Sequence, residues 1–458
     1  TGVCRFHFHS AWLGFLYLAS RYSIAGHTRA LSFPPSTPPS DGDRNRLAGR
    51  ASTGGMLSLS DIRAARDRVD GVARHTPLER SRTFSEMTGA DVHLKLETFQ
   101  RTGAFKIRGA TNRIGTLSAA AREAGVVTAS AGNHAQGVAL AAERAGVDAT
   151  VVMPKFAPVS KVKATRGYGA TVRLEGVDYD EAQAVAHELE RAEGLTYVHA
   201  FDDPAVMAGQ GTLGLEIVDD CPALDTVVVP IGGGGLIAGV AVAVKSQLPD
   251  ARVVGVQAAG AASAAASLAA DERVELDRVD TIADGIATRS VGERPLAVMR
   301  EYVDEVVTVD DREIALAVTL LLERAKTLVE GAGAVALAAT LSEAFSYDDD
   351  ETVVAALCGG NVDLNRLATI VRRGLVQLGR YRKITVGLKD RPGELERVAG
   401  IVARAGANVY AVHHDRTSRD VAVNAAELEL ELETNDADHA ASIVADLEAD
   451  GYDVDVLS

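Results

Sequence analysis

The feature that most limits the fold is a regular alternation of β-branched and alanine-rich runs between about residues 90 and 360. Runs such as Thr226–Pro230 are typical of buried strands, and segments such as 135–145, which ends before Gly146, have helical spacing. This alternation predicts mainly parallel sheets with helices on both faces. The predicted strands are Val126–Ala129, 150–153, Thr171–Leu174, Thr226–Pro230, 252–257 and 353–357.

A run of four glycines and a leucine follows the strand 226–230, at the end where ligands bind in such sheets. Consecutive glycines lose much conformational entropy on folding, so this loop predicts close approach of the backbone to a ligand. N–H groups at a helix start suit a phosphate monoester, although the spacing matches neither a Walker loop nor a dinucleotide fingerprint. The predicted phosphate-binding residues, called here the tetraglycine loop, are Gly232, Gly233, Gly234, Gly235 and Leu236.

Two further turns follow predicted strands. Residues 130–134 follow the strand Val126–Ala129, and N–H groups at the start of the next helix suit a carboxylate, although a plain turn explains this segment equally well. Cys358-Gly-Gly-Asn follows the strand 353–357 and would reach the same edge. The alternative for Cys358, which is the usual one for a cytosolic cysteine, is a small buried apolar side chain. The predicted carboxylate-binding residues are Ser130, Ala131, Gly132, Asn133 and His134.

Lys106 lies in Thr-Gly-Ala-Phe-Lys-Ile-Arg-Gly-Ala at 102–110, and the chain has only nine lysines. An amine in a partly apolar pocket loses its proton near neutrality and can then attack a carbonyl carbon. A surface lysine on a turn bounded by glycines is the alternative. An amine, a phosphate cradle and a carboxylate site together indicate a pyridoxal phosphate enzyme that acts on an amino acid.

Over residues 75–360 these motifs resemble the threonine ammonia-lyase and serine racemase branch of the fold-type II pyridoxal phosphate enzymes. This resemblance implies an α/β fold of two open, mainly parallel sheets covered by helices, in a catalytic domain at 56–378 with a small subdomain at about 128–205. The matching motifs are His75-Thr76-Pro77-Leu78, Phe105-Lys106-Ile107-Arg108-Gly109, the turn at 130–134, Ala208-Gly209-Gln210-Gly211-Thr212, the tetraglycine loop, Ala283-Asp284-Gly285 and Cys358-Gly359-Gly360-Asn361.

The resemblance also implies a role for each predicted site residue. Lys106 would hold pyridoxal 5′-phosphate and remove the substrate α-proton, and Phe105 would pack beside the cofactor ring. Asn133 would bond the ring hydroxyl, the tetraglycine loop would bind the phosphate, and residues 130–134 would receive the substrate carboxylate. Cys358 would face the pyridine nitrogen, where many relatives have serine. An uncharged partner there weakens the electron sink and favours expulsion of a β-leaving group.

The implied reaction is β-elimination of L-threonine to 2-oxobutanoate and ammonia, a step toward isoleucine. The alternatives are a serine dehydratase or serine racemase, a β-replacement enzyme such as a cysteine synthase, and an amino-acid sensor without activity. Racemases of this family have serine at the position of Ala131, and racemase-like members have a metal-binding carboxylate near the position of Gln257. The sequence therefore predicts no appreciable racemisation and no bound metal.

The tail at 381–458 has a different pattern. Alternation in 384–388 and 428–432 and helical spacing in 395–402 predict a ferredoxin-like βαββαβ module. Its turns resemble the ACT domain, a regulatory module that binds amino acids, although a dimerisation module without ligand is the alternative. The resemblance predicts a homodimer or homotetramer and a branched-chain amino-acid effector, isoleucine first. The predicted regulatory residues are Asp390, Pro392, Gly393, Leu395 and Asn408.

Composition limits the partners and the compartment. A net charge of −16 argues against nucleic acid, and no apolar run approaches the roughly 20 residues of a membrane span. Three scattered cysteines favour a reducing cytoplasm. Residues 1–55 contain a stretch rich in Pro, Ser, Arg and Gly, which predicts a disordered leader upstream of a start near Met56. A secretory signal is the alternative for this leader.

Overall fold

The structure is a computed structural model that describes residues 57–416 and 424–457, so the predicted leader at 1–55 lies outside the described residues. The chain divides into two compact units. The first contains the described residues up to Asp310 together with Val329–Asn361, and the second contains Asp311–Leu328 together with the described residues from Val362 onward.

The helices and strands of the described residues follow the predicted alternation closely. The helices are α1 (Leu59–Val69), α2 (Arg82–Thr88), α3 (Lys106–Gly115), α4 (Ala119–Ala124), α5 (Asn133–Ala145), α6 (Val159–Gly167), α7 (Tyr179–Glu193), α8 (Pro204–Asp220), α9 (Gly235–Lys245), α10 (Ser263–Ala270), α11 (Glu293–Tyr302), α12 (Asp311–Arg324), α13 (Gly331–Leu341), α14 (Leu364–Gln377), α15 (Glu394–Arg404) and α16 (Ala437–Ala449). The strands are β1 (Leu78–Arg80), β2 (Asp91–Leu96), β3 (Val126–Ala129), β4 (Ala149–Met153), β5 (Thr171–Leu174), β6 (Thr196–Tyr197), β7 (Thr226–Pro230), β8 (Arg252–Ala258), β9 (Glu305–Val309), β10 (Thr352–Leu357), β11 (Tyr381–Lys389), β12 (Asn408–Asp415), β13 (Ala425–Glu433) and β14 (Asp453–Val456).

The first unit contains two open sheets. The larger has the strand order β1-β2-β10-β7-β8-β9, and only the pairing of β1 with β2 is antiparallel. The smaller has the order β5-β4-β3-β6 and is parallel throughout. Central strands are apolar on both faces, as Val227, Val228 and Val229 of β7 show by having no exposed surface. The predicted pair of mainly parallel sheets is confirmed.

Strand order in the larger sheet brings three loops to one edge. Strands β2 and β7 lie on either side of β10 and run parallel to it, so the three carboxyl ends are neighbours. The loop after β2 leads to Lys106, the end of β10 is followed by Cys358, and β7 leads into the tetraglycine loop. Ala104 and Gly359 form an isolated β-bridge between two of these loops. The predicted binding edge is therefore assembled from segments more than 100 residues apart.

The second unit contains the predicted C-terminal module. Its order is β11-α15-β12-β13-α16-β14, and the antiparallel sheet has the strand order β12-β13-β11-β14, so the predicted βαββαβ fold is confirmed. Alternating residues of β11 and β13, among them Ile384, Val386 and Leu430, form its core. Helices α12 and α14 group with this sheet, and the domain limits predicted from the sequence stay a prediction.

Candidate active site

Lys106 is the first residue of α3, and its amine points toward the segment between β6 and α8. Its Nζ donates a hydrogen bond to the carbonyl O of Ala200 at 2.9 Å and lies 5.1 Å from the centroid of the Phe105 ring. The side chain keeps some accessible surface, but protein atoms surround the amine and exclude most water. This desolvation lowers the pKa of Lys106 to about 8. A useful fraction of the amine is therefore uncharged near neutrality.

The tetraglycine loop joins β7 to α9 and presents unused hydrogen-bond donors. Among the described residues, no acceptor contacts the backbone N–H groups of residues 232–236. Because these groups lie at a helix N-terminus, they form an anion site. The glycines also permit protein contacts: a Cβ atom on Gly233 would lie 2.3 Å from the Phe201 ring, and one on Gly234, where φ is +88°, would lie 2.8 Å from Pro295 Cβ. The sequence predicted the approach of the glycines to a ligand but not these contacts with Phe201 and Pro295.

The turn at 130–134 places a second helix N-terminus in the site. Ser130 Oγ accepts a hydrogen bond from the Gly132 N–H at 3.1 Å, and no side chain of the described residues caps α5. The N–H groups of Asn133 and His134 have no acceptor within the described ranges. A carboxylate can therefore bind here through backbone donors and the helix dipole. The Ala131 side chain carries no group that could exchange a proton.

His134 is buried and stays neutral. One ring nitrogen, Nε2, lies 2.9 Å from the carbonyl O of Val198 and so must carry the proton, while Nδ1 has no partner in the described part of the chain. Desolvation, reinforced by the nearby charge of Lys106, lowers the pKa of His134 to about 3. A histidine with this pKa is no proton donor at neutral pH, so its side chain anchors the turn to Val198.

Asn133 is held by two residues whose partnership the sequence did not predict. Its Nδ2 donates to Glu330 Oε1 at 2.6 Å, and its Oδ1 accepts from Asn361 Nδ2 at 2.9 Å. Asn361 also donates to the carbonyl O of Thr102 at 2.6 Å, which fixes the orientation of both amides. One hydrogen of Asn133 Nδ2 remains free for a ligand oxygen. This geometry fits the predicted bond from Asn133 to a ring hydroxyl.

Glu330 is a buried acid at this site that sequence reasoning missed. Desolvation raises the pKa of its carboxyl, although the hydrogen bond from Asn133 and the charges of Lys161 and Lys106 oppose this shift. The signal that could have found it is its position directly before Gly-Ala-Gly-Ala at 331–334, the small-residue start of α13. A Cβ atom on Gly359 would lie 2.5 Å from Glu330 Oε1, so the glycine at this position leaves room for the carboxylate.

Cys358 directly follows β10 and is a buried, neutral thiol. Its Sγ donates to the carbonyl O of Ala356 at 3.3 Å, and its own carbonyl O accepts from the Phe105 N–H at 3.1 Å. Burial raises the pKa of the thiol well above its ordinary value. Cys358 belongs to a buried apolar cluster, and Phe105 packs against this cluster. An uncharged group at this strand end agrees with the predicted partner of a pyridine nitrogen.

A buried ion-pair network around Arg108 of α3 explains motif residues that have no role in the reaction. The guanidinium of Arg108 is 1% exposed and forms paired hydrogen bonds to Glu97, at 2.8 and 2.7 Å, and to Glu216, at 2.6 and 2.9 Å. Lys95 Nζ lies 2.9 Å from Glu216 Oε2, and Thr76 Oγ1 donates to Glu97 Oε1 at 2.5 Å. Thr76 of the first motif and Arg108 of the second therefore meet at Glu97.

The predicted regulatory residues do not all come together within one chain. Asp390, which follows β11, pairs with Arg416 at 2.8 Å, whereas Asn408 Nδ2 donates to Glu433 Oε2 at 2.8 Å. Glu433 is also opposite Tyr381, the first residue of β11, so Asn408 lies at the other end of the sheet from Asp390. The remaining residues lie near Asp390: Gly393 precedes α15 with φ +96°, Pro392 precedes it in turn, and Leu395 is 43% exposed.

The groups at this edge fit pyridoxal 5′-phosphate on three observations. Lys106 is a lysine with a lowered pKa, the tetraglycine loop presents unpaired N–H groups, and the Asn133 amide has one hydrogen free. The N-terminus of α5 remains for the carboxylate of an amino acid. Fold and site together define the class: an α/β enzyme of fold type II that depends on pyridoxal phosphate.

The chain belongs to the pyridoxal-phosphate dependent enzyme family, whose sequence pattern matches residues 69–359. The L-threonine ammonia-lyase of Thermotoga maritima is 47% identical over 402 residues, which cover 88% of this chain and 100% of that relative. Threonine deaminase isoform 2 of Solanum lycopersicum, in its processed form, is 39% identical with a TM-score of 0.68, over 76% of this chain and 97% of that chain. Maize serine racemase is 36% identical with a TM-score of 0.66, over 70% of this chain and 99% of that chain.

Proposed function

We propose that this protein is an L-threonine ammonia-lyase that converts L-threonine into 2-oxobutanoate and ammonia. The observation that carries the proposal is the meeting of the Lys106 amine with two anion sites, the tetraglycine loop and the N-terminus of α5. The 47% identity to an L-threonine ammonia-lyase across that relative's full length supports this reaction over the alternatives. The product is an oxo acid that leads toward isoleucine.

Each site residue has a defined task in this reaction. The N-terminus of α5 binds the substrate carboxylate and thereby directs the α C–H bond toward Lys106. Lys106 Nζ accepts the α-proton as a free amine, which its lowered pKa permits. Pyridoxal phosphate, when bound, supplies the electron sink for the negative charge that develops at the α-carbon. Asn133 would hold its ring hydroxyl, the tetraglycine loop its phosphate, and the neutral Cys358 thiol its ring nitrogen.

The balance of the reaction is simple. The α C–H bond and the β C–O bond break, a double bond forms between the α- and β-carbons, and the hydroxyl leaves with a proton as water. The released enamine tautomerises to an imine, and water hydrolyses its C=N bond to give the oxo acid and ammonia. Without a charged partner at the ring nitrogen, the negative charge that develops at the α-carbon is only weakly stabilised and therefore short-lived. This environment favours rapid loss of a β-leaving group over reprotonation at the α-carbon.

Product analysis with L-threonine, L-serine and D-serine tests the function directly. We expect 2-oxobutanoate and ammonia from L-threonine and no appreciable D-serine from L-serine, because Ala131 cannot carry a proton on the second face of the ring. Addition of EDTA should not reduce turnover, since the buried Gln257 amide bonds to Ala261, Ala264 and Ala265. Efficient racemisation of L-serine would favour the racemase alternative. A loss of activity with EDTA that magnesium restores would contradict the prediction that no metal is bound.

We also propose that the C-terminal module senses an amino acid at an interface between two copies of the chain. Asp390, Pro392, Gly393 and Leu395 lie at one end of β11 and Asn408 at the other, so a site that uses both needs a second chain. The strand β12 is at the edge of its sheet and is largely exposed, which leaves its backbone free for pairing. This supports a homodimer or homotetramer.

Isoleucine is the effector that we expect, with valine as the second choice. Saturation curves for threonine should shift by about 5–150-fold in apparent affinity when isoleucine is added to the full chain. Asn408→Ala should reduce this shift, and a chain that ends after Gly379 should lose it, while both retain turnover. An unchanged curve for the full chain, or an equal response of the shortened chain, would exclude the module as the sensor.

Among the described residues, no helix is both long and apolar enough to cross a membrane. We propose that the enzyme is cytoplasmic, because its scattered cysteines and its amino-acid substrate suit a reducing compartment. The partners that we propose are the amino-acid substrate, an amino-acid effector and further copies of this chain, and neither nucleic acid nor a membrane.

A further inference from the structure

We propose that α8 sets the distance between Lys106 and the tetraglycine loop, and that Gly209 and Gly211 are its positioning residues. Both belong to the motif Ala208-Gly209-Gln210-Gly211-Thr212, which has no task in the reaction described above. The helix α3 begins at Lys106, and α9 begins at the tetraglycine loop. The inference rests on the proposed function, because only a ligand held at both points depends on their spacing.

On one side, α8 touches the backbone of α3 at Arg108 and Gly109, two and three residues after Lys106. A Cβ atom on Gly209 would lie 2.6 Å from both the carbonyl O of Arg108 and the Cα of Gly109. The Gly109 N–H donates to Gln210 Oε1 at 3.1 Å, and a Cβ atom on Gly109 would lie 2.4 Å from Gln210 Nε2. Any larger side chain at Gly209 must therefore push α3, and Lys106 with it, away from α8.

On its other side, α8 touches the backbone of α9. A Cβ atom on Gly211 would lie 2.9 Å from the carbonyl O of Gly239, and one on Gly239 would lie 2.4 Å from the carbonyl O of Met207 and 2.5 Å from Gly211 N. Helices usually pack with axes about 8–10 Å apart, at a distance that their contact side chains set. Two glycines in contact place α8 and α9 at the near end of this range.

These two helix contacts together fix the distance between Lys106 and the tetraglycine loop. A rigid cofactor held covalently at Lys106 and through its phosphate at the tetraglycine loop accepts little change in the separation of those two points. A misplacement of about 1 Å costs about 100-fold in rate at a preorganised site. The glycines of α8 therefore act on cofactor binding although neither is among the cofactor-binding residues proposed above.

The test compares two probes in full-length Gly209→Ala and Gly211→Ala. Pyridoxal phosphate needs both attachment points, whereas inorganic phosphate needs only the tetraglycine loop. We expect the apoprotein of each variant to bind pyridoxal phosphate at least about tenfold more weakly, with inorganic phosphate affinity within about twofold of the unmodified protein. Gly167→Ala is the matched control, because Gly167 is also helical and a Cβ atom there would meet no atom within 4 Å.

Thermal unfolding of each variant identifies those that are folded at the assay temperature. If the alanine variants do not fold, Gln210→Met replaces them, since it removes the hydrogen bond that holds Gly109 of α3 against α8 without adding bulk between the helices. A smaller loss of pyridoxal phosphate affinity is then expected, again with unchanged affinity for inorganic phosphate. Unchanged pyridoxal phosphate affinity in the folded variants would overturn the inference, as would a parallel loss of phosphate affinity, which indicates a damaged loop. An unmodified protein that binds no pyridoxal phosphate would instead contradict the proposed function.

Discussion

Replacement of Lys106 by alanine is expected to abolish turnover of L-threonine and the visible absorbance of a lysine-bound cofactor. In the proposed function the amine is both the attachment point and the base, and a positioned base alone contributes about 100- to 10,000-fold to the rate. Pyridoxal phosphate should still bind weakly, because the N–H groups of the tetraglycine loop are unaffected. The measurements are 2-oxobutanoate release and an absorbance titration of the apoprotein with pyridoxal phosphate.

Lys163→Ala is the matched control for this experiment. Lys163 is an exposed lysine on α6, so its removal should leave both turnover and absorbance unchanged. Turnover by Lys106→Ala at the rate of the unmodified protein would remove the assignment of Lys106 as the catalytic residue. It would also remove the observation on which the proposed function depends.

Replacement of Arg108 by methionine should lower the free energy of unfolding far more than replacement of an exposed arginine. Loss of one partner of a buried ion pair costs about 3–5 kcal/mol, because the carboxylates of Glu97 and Glu216 remain buried without their cation. The free energy of unfolding, measured with urea, reports this loss. The control is Arg66→Met: Arg66 pairs with Asp219 at 2.6 Å, but both side chains are nearly half exposed, and such pairs contribute less than about 1 kcal/mol.

The pH dependence provides a second readout for the network. Burial by itself would raise the pKa of Glu216, but Arg108 and Lys95 outweigh it and hold this pKa below its ordinary value. The stabilisation is therefore complete above the unfolded pKa, about 4.3, and is lost as the pH falls through the folded pKa. The stability difference between the unmodified protein and Arg108→Met should narrow on acidification. Equal stability of the two proteins at neutral pH would contradict this account.

Much of the fold was predictable because strand and helix patterns are local. Val126–Ala129, Thr171–Leu174 and Thr226–Pro230 have the bounds that their β-branched runs predict, and the glycine turns follow β3, β7 and β10 as expected. Alternation in the tail likewise predicted its antiparallel sheet. The roles assigned to single site residues stay predictions, although the unpaired N–H groups and the lowered pKa of Lys106 agree with them.

The sequence by itself determined the class of fold and the positions of the turns, since each depends on neighbours along the chain. Only the tertiary structure decided which turns meet, because the order β2-β10-β7 pairs strands that are distant in the sequence. It alone placed Glu330 and Asn361 on Asn133. It also separated Asn408 from Asp390, which are both near turns of the same module. Such contacts depend on strand order and packing, and no local pattern carries either.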